Sequence, residues 1–229
     1  MHGPKYGPKI SWKGEQARES NMVNNRQIEN PWKKFLHFAT RKYVRKNTVL
    51  YTPGDIGLGF YYIDKGVVKI TTYTSDGDEK LIDLHGGGEV FGEWALVNQP
   101  YNTQATTVED SVLYFFSNQA FKKITTLTHE PLNYLLMLSF KKVWNKVEQN
   151  LLVSSAKEQI AFALLKLDGL FNSDNIIYIS QQDLANYVGL SRITVNKLLQ
   201  NLRKKGVIEV GSKKIVIKDK KYLSKLIDQ

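Results

Sequence analysis

The stretch SQQDLANYVGLSRITVNKLLQNLRKKGVI, Ser180 to Ile208, constrains the fold more than any other part of the chain. It reads as two short helices joined by a tight turn. Ser180 stands where a cap belongs, with Asp183 three residues on as the acid of a capping box. Leu184, Ala185 and Val188 then fall on one helical face. Gly189 sits where one helix must stop and the chain must turn, because glycine enters left-handed backbone without a Cβ penalty. Ser191 can cap the second helix, whose apolar stripe is Val195, Leu198, Leu199 and Leu202. The opposite face carries Arg192, Ile193, Asn196, Lys197 and Gln200.

That second face has the chemistry of base reading. A helix enters the major groove of DNA, where arginine donates two hydrogen bonds to guanine and asparagine pairs with adenine. A solvated pair of surface helices carries the same punctuation, so the hairpin alone does not decide. The next residues do more. Gly206 ends the helix, and Val207–Val210 and Lys214–Ile217 flank Gly211–Ser212–Lys213 as a basic two-stranded wing. The formal net charge of +10 favours a polyanionic partner, nucleic acid first and an anionic membrane surface second. With no cysteine in the chain, disulfides, thiolate catalysis, cysteine-ligated zinc and iron–sulfur clusters are excluded. No apolar run is long enough to span a bilayer and no signal-peptide core stands near the start. A cytoplasmic protein without a membrane partner is expected.

Upstream the pattern changes several times. Residues 1–27 mix glycine, proline and charge without periodicity and read as a flexible tail, in which Met22 offers an alternative start. Ile28 to Tyr43 reads as an amphipathic helix with Pro31 in its first turn and Trp32, Phe35, Leu36 and Phe38 as core candidates. Then come short β-branched and aromatic runs: Thr48–Tyr51, Phe60–Asp64, Val67–Tyr73, Leu81–Leu84, Ala105–Val108 and Val112–Phe116. Turn signals separate them, Asp76–Gly77 being the strongest for a hairpin. Such spacing predicts an antiparallel sandwich or barrel. Helical periodicity returns over Gln119–Thr126 and from Pro131 past Asn150. In the longer segment Leu136, Phe140, Val143 and Val147 have the spacing of a coiled-coil seam, although over barely two heptads a core-facing helix looks the same. Ser154–Ser155 is the candidate hinge. Ser155 and Glu158 cap the next helix, whose Ile160, Leu164, Leu165 and Leu167 would pack on the helix-turn-helix.

The expected class is α+β: an N-terminal antiparallel, jelly-roll-like β-roll, a long dimerisation helix and a C-terminal winged helix-turn-helix. The expected divisions are a tail over 1–27, a β-roll sensor over 28–130, the helix and hinge over 131–154, and the DNA-binding domain over 155–229. This order resembles the Crp–Fnr family of bacterial transcription regulators from about Ile28 onward. The matching motifs are Lys65–Gly66 after a strand, Gly92–Glu93 within VFGEW, Val108–Glu109–Asp110 before a strand, and SRITVNKLLQNLRKKGVI. The resemblance implies a homodimer zipped along the long helix through Leu136, Phe140, Val143 and Val147. It implies a small-molecule sensor in the β-roll, recognition helices in successive major grooves, and RNA polymerase as a further partner.

Residue by residue, Arg192 matches the family's guanine-reading arginine. Ile193 stands where a well-studied member has a glutamate that accepts from cytosine, and Lys197 where it has a second arginine, so the operator should differ. Gln182 and Ser191 match positions that touch phosphate, which orients a protein without reading sequence. With Ser180, Thr194, Asn196, Gln200 and the wing residues Lys213 and Lys214, these form the expected DNA-contacting set. The effector pocket carries over poorly. Cyclic-nucleotide binders of the family pair a ribose-binding glutamate with an Arg-Ser that holds the cyclic phosphate. Glu93, after Gly92, matches the glutamate, but Tyr101–Asn102 falls where Arg-Ser is expected. No cofactor is assigned, and cyclic AMP is not expected in the usual family mode.

An enzyme reading finds little. Cupin metal sites in β-barrels need clustered ligands, and His2, His37, His85 and His129 form no H-x-H pair. His85, beside Gly86–Gly88, reads as a loop histidine. The triple glycine lacks the Lys-Ser/Thr of a P-loop. A ligand-sensing β-roll that acts on a protein partner is the alternative, but it leaves the winged helix-turn-helix unexplained.

Overall fold

The computed structural model describes residues 30–152, 155–171 and 175–227, without the side chains of residues 31, 141 and 145–152. The expected tail, Met22 and Ser154 of the hinge lie outside the described residues.

The β-branched and aromatic runs pair into two four-stranded antiparallel sheets. One has the order β1 (Thr40–Val44), β8 (Ser111–Ser117), β3 (Gly59–Lys65), β6 (Val90–Phe91). The other has the order β2 (Val49–Tyr51), β7 (Gln104–Thr107), β4 (Val68–Tyr73), β5 (Glu79–His85). Side chains alternate across a strand. From β3, Tyr61 and Ile63 share a core with Val68, Ile70, Ala105 and Leu113, so the inner faces of the two sheets meet. Phe60 and Tyr62 face the other way, onto Trp32, Val90, Phe116 and Ile124. Both faces of β3 are covered from Phe60 to Ile63, which is why those four residues form an unbroken run of large apolar and aromatic side chains.

The helix expected over Ile28–Tyr43 is not formed. A 3₁₀ helix covers Pro31–Phe38, and the chain is already extended at Thr40, where β1 begins. Thr40 to Val44 pairs with Phe115 to Ser111 of β8. That ladder satisfies the backbone of a segment whose β-branched and aromatic residues fit a sheet better than a helix end. Trp32, Phe35, Leu36 and Phe38 do reach the core, as expected.

Helix α1 (Asn118–Leu127) starts at Ser117, whose hydroxyl accepts from the Ala120 amide at 3.1 Å. Helix α2 (Glu130–Leu152) lays Tyr134, Leu135 and Leu138 on the cluster around Trp32. Ser155 caps α3 (Ala156–Asp168), accepting from the Glu158 amide at 3.3 Å. Then follow α4 (Gln181–Val188), α5 (Arg192–Lys204) and α6 (Lys220–Ile227). The wing is β10 (Ile208–Gly211) paired with β11 (Lys214–Ile217), and it is not two-stranded: β9 (Ile176–Ile177) adds a third strand beside β11. Two residues carry too little pattern to mark a strand in the sequence.

One core joins the two halves of the molecule. Val67, Leu81 and Leu84, on the outside of the β4–β5 hairpin, belong to the same cluster as Leu164, Leu184, Val195 and Leu199 of the helical unit. The winged helix-turn-helix is therefore seated on that hairpin. No helix of the described residues is long and apolar enough to cross a membrane.

Candidate nucleic-acid interface and effector pocket

Each helix of the helix-turn-helix is held by a cap of its own. At the start of α4 the Ser180 hydroxyl accepts from the Asp183 amide at 3.0 Å and donates to the Asp183 carboxylate at 2.6 Å. Gly189, at φ 72°, ends that helix in the left-handed region. Ser191 then accepts from the Thr194 amide at 3.1 Å and lies 2.8 Å from the Thr194 hydroxyl. Val195, Leu199 and Leu202 are buried, so the rotation of α5 is set. It leaves Arg192, Ile193, Asn196 and Lys197 exposed, with Thr194 and Gln200 half-buried beside them. Among the described residues, neither Arg192 nor Lys197 is in a salt bridge with a carboxylate. The Gln200 amide donates to Asn196 Oδ1 at 3.5 Å.

The rest of the expected DNA-contacting set is arranged less uniformly. Ser180 and Ser191 use their hydroxyls as caps. Gln182 is exposed and donates to Asn186 Oδ1 at 3.3 Å. Lys213 and Lys214 are exposed at the tip of the wing, where Gly211 pairs with Lys214 around a two-residue turn. Lys213 takes φ 61°, a left-handed value that costs a side-chain-bearing residue. Ser180 and Lys213 also line a cleft of about 160 Å³ with Lys46 and Lys69 of the β-roll.

On α2, Leu136, Phe140 and Val143 are 56%, 67% and 63% exposed, with Leu132 and Trp144 beside them. The seam read from the spacing is thus a bare apolar stripe, not the face that packs on the β-roll. The side chain of Val147 lies outside the described residues.

The four expected pocket residues do come together. Gly92, Glu93, Tyr101 and Asn102 line a cavity of about 290 Å³ with Tyr51, Phe91, Trp94 and His85. Gly92 is at φ 80°, and a Cβ there would lie 3.3 Å from the Tyr101 ring, so the backbone needs glycine. Two of the four already have partners for their polar groups. Glu93 pairs with Lys142 of α2 at 2.9 Å. The Tyr101 ring stacks on Tyr51 with centroids 3.8 Å apart, and its hydroxyl donates to the Gly59 carbonyl. Burial pushes the Tyr101 phenol up to about 12 and the Tyr51 phenol higher still, so both are neutral at physiological pH. No lysine or arginine is among the described residues lining the cavity. Lys80, exposed on β5, does not line it either.

His85 differs from the expectation of a loop histidine. It ends β5, is 5% exposed, and its Nδ1 lies 3.2 Å from Glu89 Oε2. Burial raises the Glu89 carboxyl, but the His85 hydrogen bond and charge, the Gly86 amide and Lys142 outweigh it and hold the group below its ordinary value. The phenol of Tyr187, on α4, is buried, with Asp83 and Glu89 among the charges that raise its pKa. Neither the contact of Lys142 with Glu93 nor the inward turn of His85 was visible in the sequence, since both arise only through packing. Among the described residues, no group of three or more histidine and carboxylate side chains could hold a metal ion.

Comparison with known proteins bears on both sites. Residues 41–126 match the family model described as a cyclic nucleotide-binding domain, and residues 158–226 match that of a Crp-like helix-turn-helix domain. The chain is 30% identical to an anaerobic regulatory protein of Bacillus subtilis, over 81% of this chain and 82% of that one. It is 29% identical to a cyclic AMP receptor protein of Thermus thermophilus, over 83% and 88% of the two chains. Among solved structures, FixK2 of Bradyrhizobium japonicum has a similar fold, with a TM-score of 0.66 and 23% identity over 82% of this chain and 96% of that one. A transcriptional regulator of the Crp/Fnr family from Thermus thermophilus matches with a TM-score of 0.67 and 23% identity over 83% and 99%.

Proposed function

Because the chain belongs to the Crp–Fnr family of DNA-binding transcription regulators, which are not enzymes, we propose that it reads a palindromic operator as a homodimer. The observation that carries the reading is the state of α5: capped at its start by Ser191, buried on one side, and presenting Arg192, Asn196 and Lys197 unpaired by carboxylates on the other. Arg192 donates two hydrogen bonds to a guanine, Asn196 pairs with an adenine, and Lys197 meets guanine or phosphate without arginine's planar fork. Gln182, Ser191, Lys213 and Lys214 supply phosphate contacts that set orientation.

The bare stripe Leu132, Leu136, Phe140, Val143 and Trp144 is covered by the same stripe of a second copy. Two-fold symmetry then puts half-sites about one helical turn apart. In this reading residues 28–130 are the sensor, 131–154 the dimerisation helix and hinge, and 155–229 the DNA-binding domain, working in the cytoplasm with RNA polymerase as a further partner.

The β-roll cavity takes a neutral, flat ligand against its aromatic walls, or is closed by its own side chains. Cyclic AMP is not its ligand in the usual family mode, whatever a relative's name indicates. A cyclic phosphate keeps its negative charge, and burying it without a cation is costly. Arginine answers that cost with two charge-assisted hydrogen bonds. Here Tyr101 and Asn102 bring no charge, and Lys142 is held by Glu93.

Selection of bound duplexes from a random pool tests the main reading. A two-fold symmetric consensus with half-sites about one turn apart is the expected result. Recovery of no consensus would leave the regulator reading without its operator.

A further inference from the structure

Ile193 is 83% exposed, more than any other large apolar residue among those described. It is the second residue of α5, two positions from the fully buried Val195. At about 100° per residue that puts it nearly opposite the buried stripe, at the centre of the outward face. Its neighbours one turn on are Asn196 and Lys197, the groups proposed to read base edges. Packing does not account for an isoleucine there. The Ser191–Thr194 cap sets the first turn without it, and neither the core of the helical unit nor its partly buried margin includes it.

The exposed side chain can take part in recognition in only one way. It has no donor and no acceptor, so it cannot answer the hydrogen-bonding pattern of a guanine, cytosine or adenine edge. The major groove displays one apolar group, the 5-methyl of thymine. The flanks of Ile193 favour this occupant over an apolar protein surface. Arg192, Asn196 and Lys197 would have to be dehydrated without partners against a greasy patch, whereas base edges and phosphates pair them.

We infer that Ile193 reads a thymine methyl group, and that this contact sets one base pair of each half-site. The inference rests on the proposal that α5 is the reading helix. It also says how the operator departs from those read through a carboxylate at this place. A carboxylate accepts from the cytosine amino group, while isoleucine prefers the pair that carries a methyl.

The test uses the full chain and the duplex selected from the random pool. Each thymidine of a half-site is replaced in turn by deoxyuridine, which removes the methyl and keeps the pairing. At one position affinity should fall roughly three- to tenfold, the size of losing one buried methyl contact. In the variant Ile193→Ala, which folds normally because the side chain touches no core, the same replacement should have no further effect. Placing 5-methyldeoxycytidine opposite guanine at that position should recover part of the affinity that deoxycytidine loses, with the wild-type protein alone. Sequence-selective binding that is indifferent to deoxyuridine everywhere would overturn the inference and leave the DNA-reading proposal standing. So would a deoxyuridine effect that persists undiminished in Ile193→Ala. Absence of any sequence preference would overturn both.

Discussion

On α5, Arg192 and Lys197 stand in solvent without a carboxylate partner, while in the β-roll cavity Glu93, Tyr101 and Tyr51 are each engaged by a neighbour of the same chain. Both regions hold a residue at a matched family position, Arg192 in one and Glu93 in the other. Their difference teaches that a matched motif residue is available to a partner only if the fold leaves its polar atoms unspent. Glu93 holds the family position, yet its carboxylate closes a contact to α2 that a ligand would have to break or work around. Arg192 holds its family position with no such prior engagement.

The largest expected effect comes from the stripe that links the two regions. Val143→Glu would set two like charges against each other across a desolvated dimer seam, so monomers should result. Losing the second half-site contact should lower operator affinity by roughly a hundredfold or more, since bivalent engagement is worth on the order of 10²–10⁴. Sedimentation velocity at micromolar concentration reads the assembly. A wild-type monomer there would remove the basis of the palindrome.

A smaller loss is expected on the open helix itself. Arg192→Ala forfeits a bidentate guanine contact worth about 1–3 kcal/mol, or roughly ten- to a hundredfold in specific affinity, and should relax preference at one base pair. Lys213→Ala or Lys214→Ala should weaken all sequences alike. If Arg192→Ala kept the wild-type base preference, the contrast would fail on its open side.

Stability should change modestly at Glu89. Its carboxyl is held below its ordinary value in the folded protein, so its contribution is present above about pH 4.5 and disappears as pH falls through the lowered folded value. With the side chain 42% exposed, solvent screening limits that contribution to roughly 0.5 kcal/mol. Urea unfolding of wild type and Glu89→Gln should differ by about that much at pH 7, and the gap should shrink as the pH falls below about 4.5. A gap that stayed constant into acid would mean that the pairing with His85 does not stabilise the fold.

Cyclic AMP should have the least effect. Titration calorimetry should give no micromolar binding, and operator affinity should not move when the nucleotide is added. Tight binding that Glu93→Ala abolishes would show that the cavity is as open to its partner as α5, and the comparison would lose its closed side.

Much of the helical unit was legible because its determinants are close in sequence. Ser180 with Asp183, Gly189, Ser191 with Thr194, and the spacing of Val195, Leu199 and Leu202 each act within about one or two turns, so residue type and interval carried the geometry. The strands were legible as runs but not all as elements. Thr40–Val44 reads as the end of a helix because its ladder partner, β8, lies about seventy residues away and leaves no local trace. Val90–Phe91 and Ile176–Ile177 were too short to show alternation.

What the chain by itself determined is the set of parts: a capped pair of helices with a basic outward face, a β-roll with glycine where Gly92 must turn, and a long helix with an apolar stripe. Tertiary structure alone decided what each polar group would meet. Lys142 reaches Glu93 across forty-nine positions, and Val67, Leu81 and Leu84 pack beneath the helix-turn-helix. The physical reason is range. Caps and stripes are set by backbone geometry over a few residues, whereas an ion pair or a shared core exists only once distant segments have been brought within contact distance.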